Sequence, residues 1–359
     1  MRKKILINGK FLLAALEGMP RVGREITTGF DQLLERPEYQ DITIELVGPK
    51  GTASQASYRN IKIVETGSFK GPFWEQFTLP WYAKGTYCLN FTGTAPLIKS
   101  NGCVVVHDAQ FRSTSKSHSL KSFVLYNLIT TVVSRRYKTI ITVSNYAKRE
   151  IQDFNVTRRS DIHVVPNGVD HVLRFTADPG VLGKYGLADK GYALANSYIY
   201  AHKNVKTLLE AFSKGPSDFP LVLFGSSKRE DYDAHGIPVP PNVKFLGRIS
   251  DVELVSLMAR ARMFLFPSTT EGFGLPPLEA MQLGCPTICA KAGAMPENCR
   301  DGALYADPFS AADWADKIFA LWSDEAEQAR LSAAGRVAAE RFRWLSAARD
   351  YLDILRQDA

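Results

Sequence analysis

The sequence predicts an α/β fold made of two doubly wound domains. Short β-branched apolar runs without polar alternation are separated by segments of helical periodicity, the pattern of parallel sheets covered on both faces. The pattern occurs twice, and a stretch rich in Gly, Pro and Asp at residues 166–191 separates the two series. At 359 residues the chain also exceeds one ordinary core and fits two domains of about 150–200 residues each. The expected division is a first domain of residues 1–170 joined by the terminal helix 342–359, and a second domain of residues 171–341. Open parallel sheets bind ligands beyond the carboxyl ends of their strands, so two such sheets facing one another would share one cleft.

In the first series the strands read KILIN, ITIELV, IKIV, CVVVHD, TIITVS and IHVVP. Helices are expected over Val22 to Glu35, Leu120 to Arg136 and Asn145 to Phe154. The second series reads YALA, LVLFGS, VKFLG, MFLFP, PTICA and ALYA. Ser250 followed by Glu253, just ahead of an apolar periodic run, is a capping box and marks a helix start. Phe342 to Gln357 reads as an amphipathic helix with Trp344, Ala348, Leu352 and Leu355 on one face.

Composition narrows the function. The chain is 45% hydrophobic and 23% charged, which is globular composition. The net charge of +7 is uneven, because residues 1–170 hold 23 Lys and Arg against 14 Asp and Glu. A basic half suits an anionic lipid or a diphosphate-bearing ligand. The basic residues are dispersed and no RNP-type or zinc-finger signature is present, so nucleic acid is not expected. Asn8 and Lys10 interrupt the apolar start too early for a signal core, and FVLYNLITTVV is too short to span a bilayer. The five cysteines form no CxxC pair; they read as buried thiols in a reducing, cytoplasmic setting.

The most informative stretch is STTEGFGLPPLEAMQLGCP, residues 268–286. Gly272 and Gly274 permit backbone geometries closed to other residues. Pro276 and Pro277 fall where a first helical turn tolerates proline, and Gly284 suits a C-cap. The loop therefore delivers a helix N-terminus whose free amides and partial positive charge bind phosphate. Glu271 and Glu279 frame it, better placed to accept hydroxyl hydrogen bonds than to hold a metal. This stretch, with seven residues between Glu271 and Glu279, resembles the signature of family 4 retaining glycosyltransferases of the two-domain GT-B type. PNGVD at 166–170, TVSNYAKREI at 142–151 and FRWLSAARDYL at 342–352 extend the resemblance over almost the whole chain. It implies that Glu271 contacts hydroxyls of the donor sugar and Glu279 the nucleotide's ribose. The amides of Phe273, Gly274 and Leu275 would meet sugar and phosphates, and the terminal helix would cross back to the first domain.

Four further patches follow. Lys203, at a predicted strand-to-helix turn in ANSYIYAHKN, suits a departing diphosphate, and the resemblance gives it that role. The family's usual Arg about five residues earlier is replaced by Asn196-Ser197-Tyr198, and Arg248 is a candidate substitute. His107 and Asp108 end a strand of the first domain; the resemblance places His107 at a sugar hydroxyl and leaves Asp108 to orient or cap. Between the first strand and first helix, EGMPRVGREI offers Gly23 and Arg21 to the donor phosphate, with Pro20-Arg21 where the family often has glycine. WEQFTLP at 74–80 resembles an acceptor-side element, so Trp74 and Trp81 are candidates to stack on a sugar or to fill the core. Asp231-Tyr232-Asp233 matches the DxD pattern of a different glycosyltransferase fold, but is expected in a solvated polar loop.

No cofactor and no essential metal are expected. The developing charge would be met by the helix end at Leu275, Lys203 and Arg21 or Arg248, with attack on the same face as the departing phosphate. HDAQFRS and ANSYIYAHKN are most similar to bacterial α-mannosyltransferases that use GDP-mannose and extend a polyprenyl-diphosphate-linked saccharide in exopolysaccharide (acetan- or xanthan-type) assembly. That implies peripheral attachment to the inner membrane face. The alternatives are a UDP-glucose or other UDP-sugar transferase of the same fold, a nucleotide-sugar epimerase, and a non-catalytic nucleotide-sugar-binding partner.

Overall fold

A computed structural model describes residues 3–113, 120–216 and 218–359. The chain forms two compact units: Met1–Gly168 with Arg343–Ala359, and Val169–Phe342.

The first unit holds a parallel sheet of seven strands. They are β1 (Lys3–Asn8), β2 (Ile42–Gly48), β3 (Lys62–Glu65), β4 (Tyr87–Asn90), β5 (Gly102–Val105), β6 (Thr139–Thr142) and β7 (Ile162–Val164), in the order β3-β2-β1-β4-β5-β6-β7. The register runs Lys3↔Ile42 through Asn8↔Val47 on one side of β1 and Ile5↔Tyr87 on the other. The strands β4, β5 and β6 are buried along their whole length, as a sheet covered on both faces requires. β4 is absent from the sequence reading: YCLN is four residues long and carries Asn90, whose side chain satisfies itself on the Cys88 and Cys103 carbonyls.

The second unit holds six parallel strands: β8 (Ala193–Asn196), β9 (Leu221–Phe224), β10 (Val243–Gly247), β11 (Met263–Phe266), β12 (Thr287–Ala290) and β13 (Leu304–Ala306). Their order is β10-β9-β8-β11-β12-β13. In each sheet the order reverses beside the first strand, between β1 and β4 and between β8 and β11. Such switch points leave a crevice at the carboxyl ends of the strands. Ser250 and Glu253 form the expected capping box on the helix Asp251–Arg260.

The chain enters and leaves the second unit at adjacent points, where the Val169 amide donates to the Phe342 carbonyl at 3.0 Å. The helix Trp344–Asp358 then packs on the helix Gly18–Leu33 of the first unit. Gly29 sets their approach, because a Cβ there would stand 2.5 Å from Ala348 Cβ. Tyr351 meets Phe30 edge-on and Phe91 at a tilt, and Arg356 pairs with Asp41.

Two local expectations are corrected. The run at 166–191 is not an irregular linker: it contains a 3₁₀ turn at Asp170–Arg174 and a helix at Val181–Tyr185, with Val169, Val172 and Val181 buried. Asp231-Tyr232-Asp233 lies on the helix Arg229–Ala234 rather than in a loop. Asp231 caps that helix through the Lys228 amide, and Tyr232 is buried with its hydroxyl on the Ser197 carbonyl. All five cysteines are buried, and burial pushes the Cys88 thiol up to about 12.

Replacing Gly29 by Val should overpack the Gly29–Ala348 contact and cost about 1–3 kcal/mol, read as a lowered melting temperature. Ser250→Ala should cost about 1 kcal/mol through the lost cap.

Candidate active site

In the second unit the loops after β8 and β11 are neighbours because their strands pair across the switch point. They are stitched together. The Thr269 amide donates to the His202 carbonyl at 2.8 Å, and Asn204 Nδ2 donates to the Pro267 and Pro308 carbonyls at 3.2 and 2.6 Å. Asn204 takes a left-handed backbone (φ 54°) to end the 3₁₀ turn Ala201–Lys203 and open the helix Val205–Phe212, a conformation Asn adopts more readily than most residues. This turn carries Lys203 to Glu271, with Nζ 2.6 Å from Oε1. Both side chains are largely shielded (23% and 14% exposed), so the pair is screened less than an open surface pair.

Glu271 is held from behind. Gly293 (φ 61°) runs so close that a Cβ there would lie 2.7 Å from the Glu271 amide nitrogen. The Ala294 amide donates to the Glu271 carbonyl, and Asn298 Nδ2 donates to the Phe273 carbonyl. Gly274 (φ 84°) caps the helix Leu275–Gln282. Pro276 and Pro277 occupy its second and third positions, where the missing amides cost no intrahelical bond. The first-turn donors at this end are thus concentrated on Gly274 and Leu275. The ring of Phe273 is buried against Phe342, edge-on at 5.3 Å.

Glu279 lies one turn further along the helix and is buried, with Oε1 3.2 Å from Nε2 of buried His171. His171 comes from the 3₁₀ turn after PNGVD and was not singled out in the sequence. Its signal there was only a histidine beside a motif, and the fold alone brings it to the carboxylate. With Glu279 ionised, Nε2 donates and fixes the orientation of that side chain. Arg248 follows β10, the edge strand, and is exposed; β9 lies between β10 and the β8 loop that holds Lys203. Tyr198, Tyr200 and His202 form a stacked series, with centroids 6.4 and 5.9 Å apart.

In the first unit His107 follows β5, and its Nε2 lies 2.7 Å from the Phe91 carbonyl. A carbonyl only accepts, so Nε2 carries the hydrogen. Burial lowers the imidazole to about 4, which keeps it neutral at pH 7 and leaves Nδ1 as an acceptor. Asp108 Oδ1 accepts from the Gln110 amide at 3.1 Å and so orients the start of the next helix.

Two candidates change their meaning. Gly23 is not in a turn before the first helix: the helix begins at Gly18, so the Gly23 amide is used within it. Its missing Cβ instead admits the Phe11 ring, which would lie 2.8 Å away. The first-turn amides at this end belong to Gly18 and Met19, Pro20 having none. Arg21 is buried, with one guanidinium nitrogen 3.3 Å from the Leu16 carbonyl. Trp74 is fully buried and donates from Nε1 to the Thr66 carbonyl, so its ring fills the core and does not stack on a ligand.

Residues 184–338 match the family described as glycosyl transferases group 1, and residues 95–173 match glycosyltransferase family 4. The O-antigen chain mannosyltransferase B of Escherichia coli is 33% identical over 218 residues, covering 58% of this chain and 57% of that protein. The O-antigen chain mannosyltransferase RfbU of Salmonella typhimurium is 27% identical, covering 63% and 62%. The matches span less than two thirds of each of these relatives. Among solved structures, a sucrose-phosphate synthase from Thermosynechococcus elongatus superposes with a TM-score of 0.76 at 16% identity, covering 99% of both chains. HepE of Anabaena, in complex with UDP and glucose, gives 0.75 at 17% identity over 99% of this chain and 100% of that one. The fold is GT-B, and the matches support a glycosyltransferase of family 4.

The His107 ring should titrate near pH 4 by NMR, well below the ordinary 6.5. The unfolded chain binds that proton more readily, so His107's contribution to stability is complete above pH 6.5 and falls away toward pH 4. His107→Gln should therefore flatten the acid side of a melting-temperature profile across that window.

Proposed function

We propose that the chain is a retaining glycosyltransferase that moves a hexose, α-mannose from GDP-mannose, onto a polyprenyl-diphosphate-linked saccharide in surface-polysaccharide assembly, without a metal ion. The observation that carries the reading is the Lys203–Glu271 pair at the carboxyl end of the second sheet, beside a helix end whose first-turn amides converge on Gly274 and Leu275. The choice of mannose rests on the O-antigen mannosyltransferases to which the chain is similar.

The chemistry follows from charge. Breaking the bond between a sugar carbon and a diphosphate places negative charge on the leaving phosphate, and preorganised positive groups lower that barrier. Lys203 supplies a full charge, and the Gly274 and Leu275 amides supply dipoles. Glu271 holds Lys203 in place and has a second oxygen for sugar hydroxyls. Glu279, oriented by His171, accepts from ribose hydroxyls. His107 offers Nδ1 to a sugar hydroxyl. Retention proceeds by attack on the face that the phosphate leaves, with that phosphate taking the acceptor's proton, so no carboxylate nucleophile is required. The excess of Lys and Arg over residues 1–170 favours a lipid diphosphate at the inner membrane face. No helix among the described residues is long and apolar enough to cross a membrane, and attachment would be peripheral.

GDP-mannose and UDP-glucose, each radiolabelled and offered with lipid-linked saccharide, test the proposal. Transfer from GDP-mannose, unaffected by EDTA, is expected; transfer only from UDP-glucose would overturn the donor, and loss in EDTA the mechanism. Lys203→Ala should lower kcat by about 10²–10³-fold with the fold intact. His171→Ala should act mainly on the KM for the nucleotide sugar.

A further inference from the structure

Residues 71–82 form one continuous helical run: Gly71–Phe73, a wider π-turn at Trp74–Thr78, and Leu79–Tyr82. Its inner face is core. Trp74, Leu79 and Pro80 are buried, and Glu75 is turned inward to Lys10, Asn8 and Thr94. Its outer face is also apolar. Phe73, Phe77 and Trp81 follow one another at intervals of four, on one side of the run, and are 66%, 58% and 75% exposed. The Phe73 and Phe77 rings stack with centroids 6.2 Å apart, and exposed Phe69 joins them at 6.3 Å from Phe77. A helix apolar on both faces is normally buried on both, and a cluster of exposed aromatic rings marks a surface made to be covered.

We propose that this aromatic face is the surface by which the protein docks on a lipid bilayer, seated in the headgroup region of an anionic membrane. Three features on the segment select a bilayer over a protein partner. The outward rings are Phe, Trp and Tyr, the side chains that settle at the membrane–water interface. Lys70 and Lys84 bracket the run and are both exposed, as at a surface of anionic lipid. The only acidic residue between positions 69 and 84 is Glu75, and it is buried, so the run itself turns no carboxylate toward phosphate headgroups; Glu45, which accepts from the Tyr82 hydroxyl, is paired with Lys4. Gln76 anchors the run by accepting from the Leu97 amide and donating to the Ala95 carbonyl, and adjacent Ile98 is again exposed. The inference deepens the reading of a membrane-borne acceptor and rests on it for its purpose, but the docking is testable without any acceptor.

The test is co-sedimentation of the full chain with vesicles of phosphatidylethanolamine and phosphatidylglycerol that contain no saccharide lipid. The wild type should sediment. Phe73→Ser/Phe77→Ser/Trp81→Ser should partition at least about tenfold more weakly. Lys70→Glu/Lys84→Glu should lose binding only to vesicles containing phosphatidylglycerol. Trp81→Ser alone, with its melting temperature unchanged, serves if the triple variant fails to fold. Wild-type protein that stays in the supernatant, or variants that sediment like the wild type, would overturn the proposal. So would light scattering that finds a wild-type dimer made monomeric by the triple variant, which would assign the face to a second copy. Sedimentation without sugar transfer in the radiolabel assay would refute the acceptor reading and leave the docking surface standing.

Discussion

The ion pair between Lys203 and Glu271 depends on a constraint set far from either side chain. Parallel strands must all end at the same edge of their sheet, and the pairing of β8 with β11 places the two loops at that edge side by side. The loops themselves would be soft. Asn204 and Thr269 lace one to the other, and Gly293 lets a third segment press on the Glu271 backbone. Each tie is a hydrogen bond from an uncharged donor to a backbone carbonyl or a glycine contact, so the charged pair is held by groups that carry no charge. Under the proposed reading, a lysine kept in place ahead of the phosphate has already met the ordering cost that would otherwise weaken its effect.

The same logic appears in the treatment of the other polar groups. His107 is kept neutral by burial and kept in one tautomer by a carbonyl, which turns it into an acceptor of hydroxyl hydrogens. Glu279 is buried yet supplied with a donor by His171, avoiding the cost of an unpartnered buried carboxylate. Lys10 and Glu75 meet in the first unit, where the carboxylate also receives Asn8 and Thr94. There the pairing frees the outer side of the helical run for aromatic rings alone.

Glycine and proline act at these positions through backbone geometry. Gly274 takes a positive φ that begins a helix, and the two prolines after it remove amides that had no intrahelical partner. Gly29 brings the terminal helix against the first unit. That contact makes residues 343–359 part of a domain whose other residues end at Gly168.

The sequence by itself determined the two parallel sheets, because periodicity of apolar residues reports burial on both faces wherever a strand is long enough to show it. It also determined the strand–glycine–proline–helix loop at residues 268–286, since φ and the missing amide of proline are local properties. It did not reveal β4, which is too short and too polar to show a period. Position along the chain placed Gly23 in a turn and left Trp74 between a sugar and the core; packing moved the first, whose missing Cβ admits Phe11, and decided the second, whose ring fills the core. Tertiary structure alone decided that Lys203 meets Glu271, 68 residues away, and that His171 meets Glu279. Spacing along a chain encodes only neighbours within an element, whereas strand order, which no local pattern records, decides which loops become neighbours in space.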